Sequence, residues 1–222
     1  MKSERLRKSQ AGYDKLHSNA GFSEEPEYYE ILGTLLKGTN SVDIGCGYGF
    51  IELFSPETVG VDFSAKALAA AKKKGMKHAV QAPAEKLPFR DNEFEVALSN
   101  GVLEHCVDQA KSVREMVRVS KIQILVVHAK LPWPFSQLCP LINWMFNLKD
   151  QPIEDPLSLR EIKKMLKDAK SRTFIEGVWN YIDLRWIHKK LPYGLIKWPS
   201  HHFVIAMKTK NMERKFLGEN ER

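Results

Sequence analysis

Residues 41–49 read Ser41-Val42-Asp43-Ile44-Gly45-Cys46-Gly47-Tyr48-Gly49, a short strand-like run passing straight into three glycines spaced two apart. Glycine adopts left-handed backbone angles at little steric cost and has no side chain to hold a ligand away. The run therefore predicts a strand that turns sharply at its carboxyl end and leaves bare backbone exposed there. The flanking sequence has a matching rhythm. A helix is expected over 24–37, with Pro26 near its first turn and Gly38 just beyond its end. A strand over 58–61 ends at Asp62, and a helix over 64–74 follows, capped by Ser64 and closed by Gly75. A weak strand is expected over 78–81 and a firmer one over 94–98. Residues 109–119 form a helix with Val113, Met116 and Val117 on one face, and 122–127 is a continuous apolar strand buried on both sides. Strand and helix alternating in this way pack as a parallel sheet with right-handed crossovers, a doubly wound α/β domain. Beyond it, 158–169 is a helix with Ser158 as cap and Glu161 as its capping-box partner. Segments 173–179 and 202–208 read as two late strands that pair antiparallel at the sheet edge. With no repeat and no linker in view, 1–222 is taken as one domain.

Composition narrows the partners. The 34 basic and 27 acidic residues leave a net charge of +7, but the excess is spread over both termini and Lys72–Lys74 instead of being gathered on one element. Nucleic-acid binders concentrate such charge, so a nucleic-acid partner is disfavoured. Cys46, Cys106 and Cys139 are too far apart for a metal knuckle and odd in number, as expected for reduced thiols in the cytoplasm. Residues 1–10 are charged and do not form a secretory leader. Residues 131–148 carry no charge, but Pro132, Pro134, Pro140, Asn143 and Asn147 make a poor spanning helix, and the stretch reads as an apolar cap or surface element.

Ligands of doubly wound sheets bind at the carboxyl ends of the strands, where strand order reverses. The dinucleotide fingerprint would need its third glycine at position 50, which is Phe50, and Asp43 just ahead of the loop would repel a pyrophosphate. A nicotinamide-dependent dehydrogenase is disfavoured on both counts. Asp43 suits a ligand with an ammonium group. Asp62, 17 residues after Gly45, is placed to accept hydrogen bonds from a ribose diol, with Phe63 beside it for an adenine ring.

Taken together these residues resemble the class I S-adenosylmethionine-dependent methyltransferases, in their type 11-like, small-molecule branch. The resemblance rests on the Asp43–Gly49 loop, Asp62, Ala84-Glu85-Lys86-Leu87-Pro88-Phe89, the strand ending Ser99-Asn100, Val102-Leu103-Glu104-His105 and Arg114-Glu115-Met116-Val117-Arg118-Val119. It covers about residues 10 to 130. It implies a Rossmann-like, mostly parallel seven-stranded sheet with an antiparallel edge strand, and S-adenosylmethionine as cofactor. It further implies that Asp43, Gly45, Cys46 and Gly47 surround the methionine moiety, with Asp43 near the amino group and Cys46 packing within the loop. Asp62 and Phe63 would take the ribose and adenine, the Ala84 backbone the adenine edge, and Asn100 the methionine arm, while Tyr13 would close over the cofactor. Three departures stand out. Pro83 replaces the Asp or Asn that takes the adenine amino group, leaving Glu85 either as its substitute or as a helix-start carboxylate. The proline-glycine-glycine turn before the fifth strand is missing, and only 50–54 remains for the helix after the glycine loop. Weaker cofactor binding than is usual in the family would follow.

A general base is needed only for an acceptor that arrives protonated. His105, Glu104 and His128 are the candidates near the mouth, each histidine having packing or capping in its loop as the alternative role. His201 and His202 point to opposite faces of a strand, and no metal-binding motif is present, so no metal is expected. The N-terminal segment 1–37 and the apolar insertion 131–157 are expected to wall the acceptor pocket. With Trp179, Tyr181, Trp186, Tyr193 and Trp198 they read either as an ordinary lid packed on the sheet or as an apolar pocket for a small, lipid-like or aromatic acceptor. Arg185, Lys189 and Lys190 would permit peripheral membrane contact. Two other functions stay open at this point: a catalytically idle S-adenosylmethionine-binding partner or sensor, and an RNA or protein methyltransferase.

Overall fold

The computed structural model describes residues 4, 10–14, 26–130, 155–181 and 199–209. Helix α1 (Pro26–Leu36) precedes β1 (Ser41–Ile44), β2 (Val59–Asp62), α2 (Ala65–Lys73), β3 (Ala79–Gln81) and β4 (Phe94–Asn100). A 3₁₀ turn (Leu103–His105), α3 (Gln109–Val119), β5 (Ser120–His128), α4 (Leu159–Asp168), β6 (Ser171–Tyr181) and β7 (Pro199–Lys208) follow. The seven strands form one sheet in the order β3-β2-β1-β4-β5-β7-β6. Strands β1 to β5 pair in parallel, and β7 runs antiparallel to both β5 and β6. The single reversed strand thus lies one place in from the edge.

Strand order reverses between β1 and β4, so the β1 and β4 carboxyl ends open a crevice there. The alternation of β4 decides its two covers. Val96 and Leu98 pack with Leu32 and Leu36 of α1, while Ala97, on the opposite face, packs in the cluster that includes Val113 and Met116 of α3 and Ile162 and Leu166 of α4. Buried apolar faces on both sides account for the apolar run of β5. Below the glycine loop, Leu68, Ala71 and Met76 make a third cluster with Cys46. Ser64 caps α2 by accepting from the Ala67 amide, and Ser158 and Glu161 form the full capping box of α4.

Two departures from the family pattern have local explanations. Helix α3 runs directly into β5, and side chains replace the missing turn: the Ser120 hydroxyl donates to the Met116 carbonyl at 2.8 Å. Arg118 clamps the preceding loop by donating to the Leu87 and Phe89 carbonyls, while Glu115 accepts from the Leu87 amide. After the glycine loop, residues 47–54 form only turns, because Ser55-Pro56 stops a helix before it can propagate.

Candidate active site

The glycine loop is shaped by what packs on it. Gly45 has φ +82°, and a Cβ there would lie 2.1 Å from Cγ2 of Val102. Val102 occupies the space that a side chain at 45 would need, so the loop after β4 and the loop after β1 fit together only with glycine at this place. Gly47 differs: its φ is +53°, yet a Cβ there would meet nothing within 4 Å. Its bare face looks onto open space at the strand ends.

The loop amides serve the protein itself. Gly45 and Cys46 both donate to the Val61 carbonyl, at 2.7 and 3.0 Å. Gly47 donates to Oδ2 of Asp62 at 3.0 Å, and Ser64 donates to its Oδ1 at 2.8 Å. Two backbone amides thus fix the Asp62 carboxylate in place. A ligand in the crevice would meet the Gly47 backbone surface and the Asp62 carboxylate, not free loop amides.

Asp43 is 1 % exposed, and its Oδ1 has no hydrogen-bond partner among the described residues. Glu52, which the sequence reading overlooked, is buried against the same loop. Burial and the repulsion of Glu52 push the Asp43 carboxyl well above its ordinary range. Burial pushes Glu52 up to about 7. Two neighbouring buried carboxylates repel, so the charge on each raises the cost of ionising the other. Cys46 is buried beside them, and burial followed by the Glu52 charge raises its thiol strongly, which makes it a packing residue.

Residues 10–14 are helical and lie over the crevice. Gln10 donates to the Phe63 carbonyl at 2.8 Å, and the Ser64 hydroxyl bonds Asp14. Tyr13 is 6 % exposed, with its ring centroid 5.3 Å from Phe63 and 5.7 Å from His105. It spans the gap between the β2 and β4 ends. The N-terminal segment 1–37 lies in part outside the described residues, but this piece of it covers the mouth.

Asn100 ends β4, and its Oδ1 accepts the hydroxyl of Tyr28 from α1. Tyr28 was not singled out from the sequence, since a tyrosine at Pro26-Glu27-Tyr28-Tyr29 reads as helix surface. Burial, then the neighbouring Tyr29, raises its phenol far above the usual value, so it stays a donor. Ala84 packs its methyl on the core, leaving only backbone for the crevice. Glu85 turns elsewhere: its Oε1 accepts from the amides of Val107 at 2.9 Å and Asp108 at 3.3 Å. That is the helix-start role, and Oε1 is committed to the approach to α3.

Glu104, His105 and His128 come together although 23 residues separate the last two in sequence. Glu104 is fully buried, and its Oε1 lies 2.8 Å from Nδ1 of His128 and accepts the His128 amide at 3.1 Å. Burial alone would raise the Glu104 carboxyl, but the hydrogen bond and charge of His128 outweigh it and hold it below its ordinary range. His201 packs on His128 with ring centroids 4.4 Å apart, and burial pushes it down to about 4. The end of the apolar insertion also anchors here: Asp155 donates to the Glu104 carbonyl at 2.9 Å and Leu157 to that of His128 at 3.3 Å. Residues 131–154 of that insertion lie outside the described residues. So do Trp186, Tyr193, Trp198, Arg185, Lys189 and Lys190, and the side chains of Trp179 and Tyr181.

Residues 42–124 match the family described as methyltransferase domain. The chain is 37% identical over 110 residues to an uncharacterised protein of Methanocaldococcus jannaschii, covering 49% of this chain and 43% of that one. It therefore spans less than half the length of that relative. Ajmaline N-methyltransferase of Rauvolfia serpentina is 28% identical over 241 residues, covering 80% of this chain and 77% of the enzyme. Among solved structures, magnesium protoporphyrin IX methyltransferase of Synechocystis with bound SAH superimposes with a TM-score of 0.62 at 14% identity, over 92% of this chain and 97% of that one. Among the described residues no helix is long and apolar enough to cross a membrane.

Proposed function

We propose that the chain is a class I S-adenosylmethionine-dependent methyltransferase, with S-adenosylmethionine as its cofactor, and that it transfers a methyl group to a small, apolar acceptor. One observation carries the reading. A buried acid with an unpartnered oxygen (Asp43), a bare glycine facing open space (Gly47) and a pinned carboxylate (Asp62) meet at the reversal point of a parallel sheet. That donor set fits a molecule with an ammonium at one end and a ribose diol in the middle. Asp43 would hold the ammonium, Asp62 the diol, Phe63 and the Ala84 backbone the adenine, and Asn100 with Tyr28 the methionine arm. Glu85 is set aside from the adenine amino group, being occupied at Val107 and Asp108, and Pro83 offers no side-chain donor.

The cofactor supplies a methyl carbon already activated by its sulfonium. The protein's own share is alignment and exclusion of water. Tyr13 closes the crevice between Phe63 and His105, and Asp155 and Leu157 bond the Glu104 and His128 carbonyls. His105 and His128 therefore face the acceptor side. A relative named for ajmaline N-methylation, and a structural neighbour named for magnesium protoporphyrin IX, support a small-molecule acceptor.

Asp62→Ala tests the cofactor assignment by calorimetry: binding should fall below detection while thermal unfolding remains cooperative. Unchanged affinity would refute the ribose role. Incubation of the protein and radiolabelled S-adenosylmethionine with cell extract tests the acceptor class. Label is expected in the organic phase. Label in RNA or protein would overturn the small-molecule reading, and tight binding without any transfer would mark an idle binder.

A further inference from the structure

We propose that Glu104, His105 and His128 form a binding site for one divalent transition-metal ion, at the carboxyl ends of β4 and β5 on the acceptor side of the crevice. One ligand atom from each residue lies within 4.8 Å of the other two. Metal–nitrogen and metal–oxygen bonds of about 2.1 Å close such a spread by modest rotation of the two rings. The site also has a built anion. Glu104 is fully buried, and its Oε2 has no hydrogen-bond partner among the described residues. A buried carboxylate with an unused oxygen is costly unless something positive meets it, and one imidazole at Oε1 answers only half of that demand.

The donor chemistry selects the ion. Two imidazoles and one carboxylate suit zinc, iron(II) or cobalt(II), whereas magnesium prefers oxygen ligands and retains its waters. Three protein ligands leave at least one position for another group, as in catalytic metal sites. The rest of the cluster is arranged as support: the His128 amide holds Glu104 in place, and His201 packs on the His128 ring.

A consequence follows for the acceptor, and it rests on the methyltransferase reading above. An acceptor hydroxyl taken as a further ligand would release its proton to solvent more readily. Its oxygen then forms the bond to the methyl carbon, and the carbon–sulfur bond breaks with its electron pair staying on sulfur. The class of acceptor implied is an apolar molecule bearing a hydroxyl.

The experiment is a cobalt(II) titration of the full chain followed by visible absorption, with zinc displacement, and S-adenosylmethionine calorimetry on the same samples. One equivalent of cobalt should bind, and zinc should displace it. Glu104→Gln and His105→Ala should each weaken it on the order of 100-fold, while His202→Ala should leave it unchanged. Glu104 is buried, so the half-exposed His105 provides the variant that keeps its fold. No binding by the wild-type chain, or equal binding by both variants, overturns the site. Either result leaves the cofactor assignment standing, because that is read by the separate titration.

Discussion

Glu52→Gln should flatten a pH dependence of stability built into the floor of the crevice. Burial carries the Glu52 carboxyl from an ordinary 4.5 up to about 7, and Asp43 beside it is raised as well. A group whose pKa is raised on folding adds stability that is complete below its unfolded value and is lost as pH climbs through the folded one. From pH 5 to pH 8 the wild-type protein should therefore lose about 3 kcal/mol through this pair. Glutamine has the shape of the protonated acid, can donate to Asp43 and cannot ionise. At pH 5 the variant should match the wild type within about 1 kcal/mol. At pH 8 it should be the more stable protein, by about 1 M or more in the urea midpoint. Saturating S-adenosylmethionine should narrow the gap at pH 8, since its ammonium would neutralise Asp43 in place of the proton. Equal wild-type stability at pH 5 and pH 8, or a variant weaker at both, would show that no proton is held between these acids.

The two glycines of the loop should respond differently to alanine. Gly45→Ala drives a methyl into Val102 and should cost about 2–4 kcal/mol by denaturant unfolding, whereas Gly47→Ala, strained only in φ, should cost about 1 kcal/mol yet weaken S-adenosylmethionine binding tenfold or more. Equal losses of stability would contradict the fit between Gly45 and Val102. Tyr28→Phe removes the donor to Asn100 and should lower stability by about 1 kcal/mol, with a rise in the cofactor KM that Tyr29→Phe does not produce. Ser158→Ala deletes the cap of α4 and should cost about 1 kcal/mol with methyl transfer unaffected; a neutral result would mean that packing alone holds that helix end.

What the sequence made legible was mostly local. The Ser41–Gly49 run, the caps at Ser64 and Ser158 and the apolar run of β5 each depend on neighbours within a few positions, so their patterns could be read directly. The antiparallel pairing of β6 with β7 beside the parallel strands was also readable, because two late strands beyond a parallel sheet have few other ways to pair, whereas their order in the sheet was not. Glu52 was missed for a physical reason: an acid after a glycine loop looks solvated, and only the close packing of Gly60, Cys46 and Met76 places it indoors. A Cβ on Gly60 would lie 2.9 Å from Oε1 of Glu52 and 2.4 Å from Cε of Met76. Tyr28 was missed in the same way, since its partner is 72 positions away at the end of β4. Glu85 presented two readable roles, and the amides of Val107 and Asp108, more than 20 positions on, decided between them. His105, Glu104 and His128 were all legible as candidates near the mouth, but not their gathering into one cluster. A buried carboxylate and its neighbouring histidine in the 3₁₀ turn meet the histidine that ends β5, and no spacing rule encodes that meeting. Only the parallel pairing of β4 with β5, Asn100 opposite Val126, brings the 3₁₀ turn after one strand level with the end of the next. The chemistry of this chain is therefore most distinctive where its local sequence says least, at the acceptor side, and the metal titration addresses that side directly.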